Sequence, residues 1–84
     1  METINNKELL MERLADLEHK QWIAWSKQVA KTETNLSRDR LQRWSKLWIW
    51  YEYLLEKDKK ADRVWAKKVL KLVDEHLKWY GTEN

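Results

Sequence analysis

The 84-residue chain contains no cysteine, no proline and a single glycine, Gly81. Without cysteine, disulfides, thiolate metal sites and cysteine nucleophiles are all excluded, and the composition agrees with a reducing compartment. Tight β-hairpin turns favour glycine or Asn-Gly pairs, which do not occur inside the chain. The long segments are filled instead by Leu, Lys, Glu, Arg and Ala, which are all good helix formers. We therefore predict an all-α fold.

Long hydrophobic runs are also missing, so the sequence predicts no membrane-spanning helix and no membrane partner. The chain is short enough to form one domain over residues 1–84, and its size limits the core that it can bury. We expect a cytoplasmic protein, located in the host cytoplasm if it is viral.

Hydrophobic spacing and capping residues define three helical segments. Ser37 is a suitable N-cap for the second helix, and Gly81 suits the position that ends the third. We predict helices over residues 6–31, 38–48 and 56–80 in a compact three-helix bundle. The connection before the third helix is expected to be irregular or a single turn, and the alternative is one helix that continues to Gly81. The stripe of the first helix that should face the core consists of Leu10, Leu14, Leu17, Trp25 and Val29.

Aromatic side chains are abundant, with seven Trp and three Tyr. Each Trp can bury roughly 200 Å² or more, which supplies bulk to a small core. Five of them fall at helical spacing and are expected in the core, namely Trp25, Trp44, Trp48, Trp65 and Trp79.

The stretch LWIWYEYLLEK, residues 47–57, concentrates aromatic rings between two helical segments. Trp50, Tyr51 and Tyr53 lie where an irregular connection cannot turn every ring inward. Tyr and Trp combine a flat apolar face with a polar tip, which suits stacking on a base or lining an interface. Packing and recognition are both open for these three rings and for Trp22.

The net charge is +3 and is unevenly distributed. Residues 1–34 carry 5 basic and 6 acidic side chains, a net −1, whereas residues 35–84 carry 12 and 8, a net +4. The third helix has a basic ridge at Lys60, Arg63, Lys67 and Lys71. Acidic neighbours dilute this ridge, so an ordinary solvated face is favoured over nucleic-acid binding. The same cations can instead hold the phosphates of a small ligand.

Catalytic and metal-binding patterns are missing from the sequence. There is no Gly-rich phosphate loop, and none of the serines lies in a nucleophile-elbow context. His19 and His76 are far apart, and no residues have metal-ligand spacing. We expect no enzyme, no metal and no cofactor. His19 is interpreted as a hydrogen-bonded structural residue or as a ligand contact, and His76 as structural.

Two stretches resemble the ryanodine-receptor-type repeat (RyR domain), a small helical domain also found in bacteria and bacteriophages. LADLEHKQWIAW, residues 14–25, is similar to the family's Leu-Ala-x-Leu-Glu-His-x-x-Trp opening. YEYLLEKDKKADRVWAKKVL, residues 51–70, is similar to its Tyr-x-x-Leu, charged run and Asp-Arg. The matching positions are Leu14, Glu18, His19, Trp22, Tyr51, Leu54, Lys59, Asp62 and Arg63. The chain departs from the family at Trp50 and Leu55, where members usually carry prolines, and lacks the glycine-containing loop after the first helix.

This resemblance implies a non-catalytic module, encoded by a bacteriophage, that recognises or sequesters a nucleotide-derived signalling ligand. We expect aromatic rings, cations and a histidine to converge on one crevice. The expected ligand-binding residues are His19, Trp22, Trp50, Tyr51, Tyr53, Lys59 and Arg63. The first alternative is a protein-interaction module that acts on a host protein or forms a homo-oligomer. The second is non-specific nucleic-acid binding.

Overall fold

The computed structural model describes residues 6–80, with Tyr80 described by its backbone alone. Three helices make up most of this part of the chain: α1 (Asn6–Thr32), α2 (Arg38–Ser45) and α3 (Glu56–Tyr80). A 3₁₀ turn, Tyr51–Tyr53, comes directly before α3. No β-strand occurs within residues 6–80, so the predicted all-α class with three helices is confirmed. The cap predicted at Gly81 lies outside the described residues.

The second helix is shorter than predicted, because α2 ends at Ser45 instead of residue 48. The amide of Leu47 bonds to the carbonyl of Trp44 at 2.9 Å, which is the i to i−3 spacing that tightens and ends a helix. The N-cap was predicted correctly, since the Ser37 hydroxyl accepts a hydrogen bond from the amide of Arg40 at 3.1 Å. The break between α2 and α3 also rules out one continuous helix.

Side-chain pairs show that α1 and α3 run antiparallel. Lys7 contacts Asp74 at 3.2 Å, near the start of α1. His19, farther along α1, lies 3.4 Å from Asp62, which is near the start of α3. Rising positions on α1 therefore meet falling positions on α3, and α3 continues six residues beyond Asp74.

The core between these two helices is small and is built around small side chains. Ala15 of α1 and Ala66 of α3 are fully buried and pack in one cluster with Tyr51 and Leu54 of the connection. Small side chains at a contact allow helix axes to approach closely. The contact between α1 and α3 therefore leaves little room for a large ring between the two helices.

The tryptophans predicted in the core are largely outside it. Trp25, Trp65 and Trp79 are 57, 56 and 76% exposed, so this prediction was wrong for them, whereas Trp44 and Trp48 are half-buried. The physical reason is the close helix contact, because an indole ring cannot fit where alanines from two helices meet.

The predicted core stripe of α1 was correct at Leu14, which packs against the core, but wrong at Leu10, Leu17 and Trp25. Leu10 and Leu17 are 46 and 51% exposed, while the buried positions of α1 are Ala15, His19 and Ser26. The true inner face is thus rotated around the helix from the most hydrophobic stripe, and one of its buried members is a histidine.

The molecule is more extended than the compact bundle that the sequence suggested. Its principal dimensions are 54 × 35 × 15 Å and its radius of gyration is 16.6 Å. A compact domain of this length has a radius of gyration of about 12 Å. No helix within residues 6–80 has the length and apolar composition needed to cross a membrane.

Candidate functional site

An open groove of about 520 Å³ lies between the middle of α1 and the connection that leads into the 3₁₀ turn. We call it the lysine groove. It is lined by His19, Lys20, Ile23, Lys27, Trp48, Ile49, Trp50, Tyr51 and Tyr53. The lining includes two lysines and four Trp or Tyr rings. None of the lining residues that the structure describes is acidic.

The connection is fixed to α1 by hydrogen bonds at the edge of this groove. The indole N–H of Trp48 donates to the hydroxyl of Ser26 at 2.9 Å, and Ser26 is fully buried on α1. The Ser26 hydroxyl donates in turn to the carbonyl of Ile23 at 3.2 Å. These bonds fix one wall of the groove to α1. They also give the indole N–H the hydrogen-bond partner that it needs away from water.

A second anchor comes from His19, which is 3% exposed. Its Nε2 lies 2.8 Å from the carbonyl oxygen of Ile49 and donates to it. Its Nδ1 lies 3.4 Å from a carboxylate oxygen of Asp62, a contact that becomes an ion pair when the ring is protonated. His19 therefore links α1, the connection and α3, and both of its nitrogens face protein oxygens.

Tyr51 forms the inner end of the groove and is held from behind. Its hydroxyl donates to Glu12 at 2.5 Å, and Nε of Arg63 donates to the other oxygen of the same carboxylate at 2.7 Å. A further nitrogen of Arg63 donates to Glu56 at 2.8 Å. We call these four residues, Glu12, Tyr51, Glu56 and Arg63, the polar clamp.

The polar clamp shifts the proton affinities of its members. Burial, together with the hydrogen bond to Glu12, raises the pKa of the Tyr51 hydroxyl well above its ordinary value near 10. The hydrogen bond from Arg63 lowers the pKa of Glu56, and the same bond raises the pKa of Arg63. Tyr51 is thus a neutral hydrogen-bond donor, and Arg63 is a cation already matched by two carboxylates.

Trp50 and Tyr53 flank Tyr51 and face outward. They are 64 and 68% exposed, compared with 7% for Tyr51. Both line the lysine groove. Flat exposed rings beside ammonium groups provide a stacking surface and countercharge in one place, which is the chemistry that an aromatic anion requires.

A second groove, of about 430 Å³, lies on the other side of His19. Its lining includes three tryptophans, Trp22, Trp44 and Trp65. The rings of Trp22 and Trp44 meet edge to face with centroids 6.0 Å apart. Unlike the lysine groove, this one contains the carboxylates of Glu18, Asp58 and Asp62. We call it the tryptophan groove.

The carboxylates of the tryptophan groove affect one another. Burial raises the pKa of Asp62, the nearby imidazole of His19 opposes this shift, and the charges of Glu18 and Asp58 add to it. Three carboxylates outnumber the one arginine that lines the groove, Arg43, so its charge disfavours an anion. The two grooves meet at His19 and differ in the sign of their charge.

The structure brings together some of the residues predicted to bind a ligand and separates others. His19, Trp50, Tyr51 and Tyr53 line the lysine groove, whereas Trp22 lies in the tryptophan groove and stacks on the His19 ring with centroids 6.1 Å apart.

The two predicted cations lie behind Tyr51. The Lys59 ammonium lies 5.4 Å from the centre of the Tyr51 ring and 4.0 Å from Glu56, and Arg63 belongs to the polar clamp. Neither lines the lysine groove.

Sequence reasoning missed the two lysines that do line the groove, Lys20 and Lys27. They are seven residues apart, which places them two turns apart on one side of α1 with Ile23 between them. The Lys27 ammonium lies 5.6 Å from the centre of the Trp48 ring, and Lys20 is 3.4 Å from Asp16. Their spacing was visible in the sequence, but only the structure shows that the connection crosses α1 beside them.

Metal ligation finds no support among the described residues, where no group of three or more His, Asp or Glu side chains is placed to hold an ion. Comparison with known proteins adds no relative: no family model, no curated protein and no solved structure matches this chain. The likeness to the ryanodine-receptor-type repeat therefore stays a prediction based on the residues quoted above.

Proposed function

We propose that this protein is a non-catalytic binding module whose lysine groove takes a nucleotide-derived anion. The observation that carries the proposal is the pairing of exposed rings with ammonium groups in a groove free of carboxylates among its described lining residues. Trp50 and Tyr53 stack on a base, and Lys20 and Lys27 contact phosphate.

A binding role agrees with how the polar groups around the groove are used. The nitrogens of His19 face Ile49 and Asp62, and the hydroxyl of Tyr51 is bonded to Glu12. These groups stabilise the fold around the groove, so they are poorly suited to exchange protons with a substrate. Following the resemblance, we further propose that the module is encoded by a bacteriophage and sequesters a nucleotide signal of its host.

The proposal is tested by isothermal titration calorimetry with a panel of cyclic dinucleotides, mononucleotides and ADP-ribose-type ligands. Lys27→Ala should weaken binding of the active ligand about 10- to 100-fold, since hydrogen bonds to charged groups contribute about 1.5–3 kcal/mol. Trp50→Ala should cause a similar loss, because stacking contributes about 1–3 kcal/mol per base.

Two matched control variants test whether binding depends on the lysine and the ring in the groove or on any exposed lysine and ring of the protein. Lys57→Ala removes an exposed lysine outside the groove, and Trp25→Ala removes an exposed ring outside it. Both controls should bind the ligand as the unaltered protein does. A panel without any binder, or binding that survives both groove substitutions, would contradict the proposal.

A second candidate function is docking of a host protein on the same exposed rings. It is favoured by the exposure of Trp50 and Tyr53, since Trp and Tyr are enriched among residues that dominate interface energies. In this case Trp50→Ala should abolish capture of a defined partner while Lys27→Ala leaves it nearly unchanged.

Nucleic-acid binding has less support from the described residues. Arg63 of the predicted basic ridge is paired with Glu12 and Glu56. Lys67 and Lys71 line a small groove that also contains acidic residues. A diluted field of this kind neutralises few phosphates, so it gives weak binding at most.

A further inference from the structure

The chain exposes much more surface than a compact protein of its mass. Its accessible surface is 7500 Å², whereas a compact monomer of this mass exposes about 5,400 Å². The excess of about 2,100 Å² is larger than the roughly 800 Å² that each partner contributes to a standard protein interface. The surface is therefore large enough for a stable interface.

The exposed apolar surface is concentrated on α3. Residues 65, 69, 72, 76 and 79 are spaced alternately by four and three positions, so they form one stripe along the helix. They are Trp65, Val69, Leu72, His76 and Trp79. At its start the stripe borders the tryptophan groove, which Trp65 lines together with Arg43 and Trp44 of α2. Beyond that point Val69, Leu72 and Trp79 are 39, 66 and 76% exposed.

The stripe is nearly symmetric about Leu72, which favours a second copy of this chain as the occupant. Trp65 and Trp79 each lie seven residues from Leu72. If two α3 helices pair antiparallel around a two-fold axis at Leu72, Trp65 of one copy faces Trp79 of the other. The same surface is then used by both copies, as a two-fold interface requires.

Charges beside the stripe are complementary in the same arrangement. Lys68 and Glu75 are seven residues apart and lie along one flank of the stripe. In an antiparallel pair this flank meets its own counterpart, so that Lys68 of each copy faces Glu75 of the other. Opposite charges therefore meet twice, whereas a parallel pair does not bring these positions together.

We propose that two copies of this protein associate through the apolar stripe of α3 as an antiparallel, two-fold dimer centred on Leu72. The stripe and the lysine groove have no lining residue in common, so the dimer leaves that groove open. This inference stands independently of the proposed nucleotide ligand.

Sedimentation velocity over a range of concentrations tests the dimer. The unaltered protein should sediment as a dimer, and Leu72→Glu should convert it to a monomer, because two carboxylates then meet at the axis. Leu55→Glu is the matched control, since Leu55 is 65% exposed but lies outside α3. It should remain dimeric. A monomer at all concentrations, or a Leu72→Glu dimer, would overturn the proposal.

Exchanging the two charges tests whether the helices pair antiparallel. The test compares a single variant with a double variant, so a loss caused by misfolding of the single variant would not be mistaken for a lost ion pair. Lys68→Glu should weaken the dimer at least about tenfold, because like charges then meet twice. Adding Glu75→Lys to that variant should restore the original dimer affinity, while circular dichroism confirms unchanged helix content. A double variant as weak as Lys68→Glu alone would contradict the antiparallel arrangement.

Discussion

The two sides of the 3₁₀ turn differ in how their rings are held. Tyr51 is buried, and its hydroxyl is bonded to Glu12 within the polar clamp. Trp50 and Tyr53 are its neighbours in sequence, yet both are exposed beside the lysine groove. One short segment therefore has an inner side that stabilises the fold and an outer side that is available to a ligand. Substitutions can test this division directly.

The largest effect is expected from Glu12→Ala. It removes the acceptor shared by Tyr51 and Arg63, and we expect a loss of about 2–3 kcal/mol in the free energy of unfolding. Glu52→Ala on the exposed side of the turn should change it by less than about 0.5 kcal/mol. Urea unfolding followed by circular dichroism measures both. Equal effects of the two substitutions would argue against the polar clamp.

Two tyrosines allow the same comparison with an identical substitution. Tyr51→Phe removes a hydroxyl bonded to a carboxylate and should cost about 1–2 kcal/mol of stability. Tyr53→Phe should cost less than about 0.5 kcal/mol, because its ring is exposed. Thermal unfolding of the two variants under the same solution conditions measures both losses of stability. If Tyr53→Phe is the more damaging, the inner and outer sides have been assigned in reverse.

A smaller effect is expected at alkaline pH. Because the folded-state pKa of Tyr51 is raised, its stabilising effect is complete below the ordinary tyrosine pKa near 10 and is lost as pH rises above it. Between pH 10 and 11 the unaltered protein should lose about 1 kcal/mol more stability than Tyr51→Phe. Parallel loss in both proteins would show that this hydroxyl is not protected.

The smallest effect on stability is expected from Trp50→Ala. Its ring is 64% exposed, so the free energy of unfolding should change by less than about 0.5 kcal/mol. A loss above about 2 kcal/mol, as expected for truncation of a buried ring, would place Trp50 with the inner side of the turn. Chemical denaturation of Trp50→Ala measures its free energy of unfolding and should precede any binding experiment with that variant.

The sequence predicted the helices well because their signals are local. The Ser37 cap and the periodic apolar residues depend on neighbours within a few positions. For Trp50 and Tyr53 the sequence left packing and recognition open, and the structure places both rings on the exposed side of the turn. Leu54 is buried and packs in the core. It is one of the positions of residues 51–70 that match the ryanodine-receptor-type repeat.

The buried face of α1 could not be read in the same way. It contains Ala15, His19 and Ser26, which carry little hydrophobic signal. Their burial depends on a close approach to Ala66 and on partners from the connection, at long sequence separation. The pairing of Glu12 with Tyr51 spans 39 positions. Periodicity does not report such contacts. The sequence therefore pointed to Lys59 and Arg63, whereas Lys20 and Lys27 are the cations that line the lysine groove.

The central claim is that the lysine groove binds an aromatic anion, and isothermal titration calorimetry tests it most directly. The nucleotide that binds best is titrated into the unaltered protein, Lys27→Ala and Lys57→Ala at two salt concentrations. We predict that Lys27→Ala weakens binding at least about tenfold and reduces its salt dependence, while Lys57→Ala changes neither. Equal affinity in all three proteins, or no heat from any nucleotide, would contradict the claim.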